Sequence, residues 1–403
     1  MLMIHTQSNI RTEKSRSEKK MLYHKCISRF RQFNNRIQQY QITVFSDSKM
    51  SYLSLTILFA CFPEKTLEET GGMDTGDHAD TADQEEDSGQ SSAIAAPVVF
   101  AASDVDQSAI DRTLEWFDVA ANAWFTEDTF GAEQNLYSPV YLVMTGDDMQ
   151  ATIDLEQEYC AHLNQYHTDT VEYSRCNYSD PNCEQGICLF TEYVTNGGAG
   201  IASSRQNDGY HLMIMAAKNP SPEEEDYKRI VLHEVFHIFQ LSQHAETDYA
   251  IAEEIQGRRT GDHDENVPWW MEGVAEYMSI VLYAEQDGVD ANYIEQQFRY
   301  KIGYYDNNAG TPIIDDYFDL DIKLYNIKFD ENAMFGYTLG AWFVAYLMND
   351  YGEEKLHSFY QNIRNESFEE NFINHFEQPY RAYVDEFEVF LQQDPEQLLT
   401  ILP

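Results

Sequence analysis

Apolar positions return every three or four residues from Ser108 to Phe125 (SAIDRTLEWFDVAANAWF), the spacing of an amphipathic helix. Pro139 to Met144 (PVYLVM) is a continuous apolar run that reads as a buried strand, and Leu155 to Leu163 reads as part of a second helix. Two further runs, Ile187 to Tyr193 and Tyr210 to Ala216 (YHLMIMA), read as strands. Pro220 and Pro222 then break the chain, and Glu223, Glu224, Glu225 and Asp226 supply the acidic first turn of an apolar helix that reaches about Gln243. Beyond it, VPWWMEGVAEYMSIVLY, Tyr337 to Asn349 and three segments within 353 to 393 read as helices. Strands in front and helices behind predict an α+β fold: a mixed α/β N-terminal subdomain over 96–243, ending in the helix of 223–243, and a mainly helical C-terminal subdomain over 244–403.

Ahead of this body the pattern changes. Residues 1–49 are basic and polar with no sustained apolar face, and read as a leader outside the mature protein. Tyr52 to Ala60 (YLSLTILFA) is too short to span a bilayer as a helix and has the length of a signal-peptide core, so 50–61 reads as an export segment; a start at Met50 would explain the basic leader but would leave only Lys49 nearby and no basic n-region. Leu58-Phe-Ala-Cys61 resembles the lipobox of bacterial lipoproteins, which implies a lipid anchor on Cys61; a simple secretory signal and a buried apolar segment are the alternatives. Residues 62–95 carry ten acidic side chains and one Lys among Gly, Ser, Thr and Asp, and are expected to be an acidic disordered tether in which His78 is only a solvated side chain.

Charge follows the same division. The 403 residues carry 69 Asp plus Glu against 26 Lys plus Arg, a net charge of −43, yet residues 1–50 alone are +7. Such an acidic body repels nucleic acid and anionic headgroups, so neither is expected as a partner, and any membrane contact would run through Cys61. With 43% hydrophobic and 14% aromatic residues the chain has material for a large core. Excluding Cys26 and Cys61, the remaining cysteines Cys160, Cys176, Cys183 and Cys188 fall within 29 residues. Two disulfides in an oxidising compartment is the favoured reading, and of three connectivities Cys160 with Cys176 and Cys183 with Cys188 is the most local. A four-thiolate zinc site is the competitor, and the spacing suits it poorly.

The candidate chemistry begins inside the helix of 223–243, at His233-Glu234-Val-Phe-His237. Residues four apart share a helix face, so both imidazoles can converge on one Zn²⁺ while Glu234 stands beside it as a general base for an attacking water. A third protein ligand must come from elsewhere. The metzincin continuation is disfavoured, because Gln240 stands where that class has Gly, Gln243 stands where it has His, and His244 falls one residue late.

Farther on, Trp269-Trp-Met-Glu272-Gly-Val-Ala-Glu276-Tyr277 resembles the W-x-x-E-G-x-A-E-Y segment of gluzincin zinc peptidases, and Tyr337-Thr-Leu-Gly340-Ala341 resembles the Y-x-x-G-A segment of their aminopeptidase-N-like branch. The resemblance covers about 225–350 and implies a zincin-like fold of the MA peptidase kind. It makes Glu272 the third ligand, and Tyr337 the donor to the oxyanion of the tetrahedral intermediate. Glu276, one turn after Glu272, could accept a hydrogen bond from the outer nitrogen of a zinc-bound His. His211, His263 and Tyr277 are weaker candidates for substrate contact. The 34 residues between His237 and Glu272 exceed the usual gluzincin spacing, and the polar excess (ETDYAIAEEIQGRRTGDHDEN) is expected to form a surface loop or lid.

Together these features predict an exported zinc metallopeptidase that hydrolyses peptide bonds of a peptide or protein substrate. The G-x-M-E-N segment by which aminopeptidase-N-like enzymes grip a free substrate amine is absent; the resemblance puts the strand Tyr210 to Ala216 in its place, an expected edge strand without Glu that could align an extended peptide through backbone hydrogen bonds, and this favours an endopeptidase over an aminopeptidase. The alternatives are an inactive surface binding or adhesion module on a peptidase fold, and a zinc hydrolase of a non-peptide amide or ester. Oligomeric state has no signal in the sequence.

Overall fold

The computed structural model describes residues 93–168, 176, 189–218, 220–258, 260–261, 266–305, 308–309 and 313–403. The leader 1–49, the export segment 50–61 with Cys61, nearly all of the tether 62–95 with His78, and Cys26, Cys183, Cys188 and His263 lie outside the described residues.

The body is mixed α/β and mostly helical. Its sheet has the order β1-β2-β4-β3, with β1 (Val98–Ala101), β2 (Val140–Thr145) and β4 (His211–Ala216) parallel and β3 (Ala199–Ser203) antiparallel to β4. Along β2, Val140, Leu142 and Met144 enter a large core while Tyr141 and Val143 enter a smaller one on the opposite face; β4 divides likewise, Met213 and Met215 against Leu212, Ile214 and Ala216. Strands buried on both faces need no polar alternation, which is why both read as continuous apolar runs.

The strand expected at the edge is therefore interior. β4 is flanked by β2 and β3, and all six of its residues are buried; the edge beside it is β3. A second correction concerns 187–193. Thr191–Asn196 is a helical turn, begun where the buried Glu156 carboxylate accepts from the Phe190 amide at 2.6 Å and ended at Gly197 and Gly198. The positive φ of both glycines, 72° and 94°, turns the chain directly into β3.

Helix α1 (Gln107–Trp124) buries Ala109, Thr113, Trp116, Phe117, Ala120, Ala121 and Trp124, the stripe its periodicity calls for. α2 (Met149–Tyr166) covers the smaller core and starts at Asp148, whose side chain accepts from the Gln150 and Ala151 amides. Cys160 at its far end is bonded to Cys176, as the most local pairing predicts.

α3 (Glu225–Leu241) opens with Glu225 and Asp226 at its positive end and then buries almost every residue from Tyr227 to Gln240. It packs between α1, the sheet and α5 (Trp269–Ala284). The stretch between them is not simply a loop: α4 (Tyr249–Ile255) is capped by Asp248 and buries Ala252 and Glu253. Its far side is tied down at Thr260, which accepts from Trp269 Nε1 at 2.7 Å through its hydroxyl and from the Tyr380 hydroxyl through its carbonyl. α5 is buried on all sides, as is most of α8 (Ala333–Tyr351), which crosses it. α6 (Tyr293–Lys301) and α7 (Ile313–Asp319) join α5 to α8. α9 (Glu354–Asn362), α10 (Phe368–Phe376) and α11 (Tyr380–Phe390) close the larger core with aromatic side chains. Among the described residues no helix is long and apolar enough to cross a membrane.

Candidate metal centre

α3 and α5 lie side by side, and their packing brings together the two motifs that the sequence separates by 34 residues. On α3, His233 and His237 are one turn apart with their rings at 85° and their Nε2 atoms 3.0 Å apart. Glu272, in the first turn of α5, sets Oε2 at 3.3 Å from His233 Nε2 and 3.2 Å from His237 Nε2. A tetrahedral ion with ligand bonds of about 2.0 to 2.1 Å separates its ligand atoms by about 3.3 Å, so this triangle has the dimensions of one face of such a site. Among the described residues this is the one group of three or more His, Cys, Asp or Glu close enough to share an ion.

Glu234 supplies an independent test of the fit. It is wholly buried beside the cluster, and among the described residues neither carboxylate oxygen has a hydrogen-bond partner. Burial, with Glu272 and Glu276 adding repulsion against the attraction of His237, pushes its carboxyl up to about 8. A buried carboxyl with both oxygens orphaned is costly unless a cation or a polarised water belongs there. Glu272 behaves in the opposite way: burial works against its charge, but His237 and His233 outweigh burial and hold it at about 2. The triangle and the orphaned carboxyl together fit a divalent cation on His233, His237 and Glu272.

Each imidazole is fixed from behind. Glu276 Oε2 lies 3.0 Å from His233 Nδ1, within reach of a bent hydrogen bond, and its charge adds to the hold on the ring. Its other oxygen, Oε1, accepts from Arg229 Nη1 at 2.6 Å and from Lys301 Nζ. Burial opposes charge on Glu276, but Arg229, Lys301 and His233 hold its carboxyl far below the usual range. Burial likewise opposes charge on His233, and Glu272 and Glu276 more than offset it, raising its pKa.

His237 uses a residue whose role sequence reasoning missed. Gln240 Oε1 lies 2.7 Å from His237 Nδ1, while Gln240 Nε2 donates to Met271 O at 3.1 Å and to the Tyr360 hydroxyl at 2.7 Å. Those two acceptors fix the amide's orientation and leave its oxygen for His237, so Nδ1 carries the proton and Nε2 keeps its lone pair. The signal was present: a polar residue three positions after His237 on an apolar helix. In the sequence it served only to disfavour the metzincin pattern.

Tyr337, in α8, lies within electrostatic reach of Glu272 and Glu234; burial, then those two carboxylates, keeps its phenol protonated far above its ordinary range. Tyr337 and His237 each keep 5% exposure, against 0% for His233 and Glu234, so what access the cluster has is on their side. The weaker candidates fall elsewhere. His211 is buried at the start of β4 and bonds Leu136 O at 2.8 Å through Nε2, and Tyr277 donates to Glu353 at 3.0 Å. His244, buried beyond the C-terminus of α3, pairs with Gln256 rather than joining the ligands. Comparison of the chain with protein-family models, curated proteins and solved structures finds no match, so the reading of this site stands on its own geometry and chemistry.

Proposed function

We propose that this chain is a zinc-dependent peptidase of gluzincin type, an endopeptidase before an aminopeptidase, working outside the cytoplasm either secreted or anchored through Cys61. The observation that carries the reading is the buried triangle of His233, His237 and Glu272 with the partnerless carboxyl of Glu234 beside it. The Cys160–Cys176 disulfide supports an oxidising compartment.

In this reading His233 Nε2, His237 Nε2 and Glu272 hold the ion, which when bound would polarise a carbonyl and ease the deprotonation of water near neutral pH. Glu234, whose ionised form a cation held beside it would favour, takes the proton of the attacking water as the new C–O bond forms and returns it to the leaving amine as the C–N bond breaks. The Tyr337 phenol, kept protonated by its surroundings, donates to the oxygen that becomes negative. The open side of β3 is where an extended peptide chain would add to the sheet.

Full-length protein is expected to hold about one zinc per chain. Glu234→Gln is expected to keep that zinc while cleavage of a mixed peptide library, read by mass spectrometry, drops by about 10²- to 10⁴-fold. Cleavage surviving the substitution would sink the mechanism, and a zinc-loaded wild type with no products would move the assignment to a binding module or a non-peptide hydrolase.

A further inference from the structure

We propose that Arg229 and Lys301 are positioning residues of the metal centre: two buried cations that grip one oxygen of Glu276 and thereby set its other oxygen against His233. The proposal rests on the reading that His233, His237 and Glu272 hold a metal ion. Arg229 stands four residues before His233 on α3, so both project from one face of the helix. Lys301 arrives from the end of α6, and Glu276 sits one turn after Glu272 on α5. Three helices thus meet at Glu276 Oε1, which accepts from both cations, while Oε2 faces His233 Nδ1 at 3.0 Å.

The burial argues that this is more than a helix clamp. Side-chain exposure is 4% for Arg229, 8% for Lys301 and 2% for Glu276, and desolvating three charges is expensive where apolar residues would join helices as well. Asp226, in the first turn of α3, lies within electrostatic reach of both cations and brings the group close to neutrality. What an apolar joint could not do is hold a carboxylate by one oxygen and leave the other facing a ligand imidazole. The consequence is a preset ring: rotation of His233 would pull it from Glu276, and rotation of Glu276 would break two charge-assisted bonds. Sequence gave no hint of either cation, because Arg229 lies upstream of the first motif and Lys301 beyond the second.

The test uses full-length wild type, Arg229→Met, Lys301→Met, Arg229→Lys, Glu276→Gln and the double variant Arg229→Met with Glu276→Gln. Co²⁺ affinity is measured by chelator competition and the visible Co²⁺ spectrum is recorded, alongside thermal unfolding of the metal-free proteins. Arg229→Met and Lys301→Met are expected to bind Co²⁺ about 10- to 100-fold more weakly and with shifted bands. Arg229→Lys is expected to recover most of that loss, and the double variant to lose no more than Glu276→Gln alone, since Arg229 acts only through Glu276. If either Met variant fails to fold, the double variant and Arg229→Lys still decide the matter. Wild-type affinity and spectrum in the folded Met variants, or additive losses in the double variant, would overturn the proposal and leave a structural ion cluster. A wild type that takes up no Co²⁺ would instead remove the metal reading itself, and this inference with it.

Discussion

Glu234 is the residue on which pH acts most directly. Its carboxyl is raised to about 8 by burial, so the folded chain holds that proton more tightly than the unfolded one. Between the ordinary carboxylate value and 8, each pH unit then costs the metal-free folded state about 1.4 kcal/mol. Metal-free Glu234→Gln is accordingly expected to unfold close to wild type at pH 5 and to be more stable at pH 8, by up to roughly 5 kcal/mol. Thermal unfolding in excess chelator at the two pH values checks this; equal midpoints at pH 8 would mean that the carboxyl has a partner after all. Gln240 carries a second expectation. Gln240→Leu takes the 2.7 Å acceptor from His237 Nδ1 and the Gln240 donor from the Tyr360 hydroxyl, so metal affinity should fall by about 10- to 100-fold. Isothermal titration with Zn²⁺ reads it directly. At this scale the sequence marked which residues come together in the cluster and said less about what holds them. H-E-x-x-H announces itself by spacing and Gln240 follows His237 on the same helix, whereas Arg229 and Lys301 gain meaning only once α3, α5 and α6 are packed.

The crossing of α5 and α8 shows what the glycines in the two downstream motifs do. A Cβ on Gly273 would lie 2.4 Å from the Gly340 carbonyl carbon, and one on Gly340 would lie 2.6 Å from Trp269 O. Two backbones therefore touch where Glu272 precedes one glycine and Tyr337 stands one turn before the other. Gly340→Ala must push the helices apart, and is expected to cost about 1 to 3 kcal/mol or more in denaturant unfolding while moving Tyr337 away from Glu272. Unchanged stability would mean that the crossing can slide. Helices such as α1, α3, α5 and α8 were legible because each is long and its apolar pattern is unambiguous. The short pieces were not: β1 and β3 have four and five residues, β3 is built of small side chains, and Ile187 to Tyr193 is too brief for periodicity to separate strand from helix. The insertion after His237 looked like a lid because it is polar, yet Ala252 and Gln256 are buried and Thr260 is bonded to two aromatic side chains.

For the molecule as a whole, the net charge of −43 bears on substrates more than on the fold. If the peptidase reading holds, cleavage of a cationic peptide should slow as salt rises while that of a neutral peptide changes little, a comparison of kcat/KM at two ionic strengths. Metal removal is expected to leave the fold in place, because the ligand triangle is embedded in the larger core rather than substituting for one. Far-UV dichroism should survive chelation, and zinc at about 1,000 times its Kd should add about 4.1 kcal/mol to unfolding. Loss of the helical signal on chelation would contradict this. The bond from Gln240 to Tyr360 spans 120 residues, and with Arg229, Glu272, Lys301 and Tyr337 it makes the centre a long-range assembly. Closing loops of that length costs entropy before the contacts repay it, which slows folding of the whole chain. The support behind His237 therefore closes only when the chain as far as Tyr360 has been made and packed, and a fragment ending before Tyr360 would carry the H-E-x-x-H helix without it.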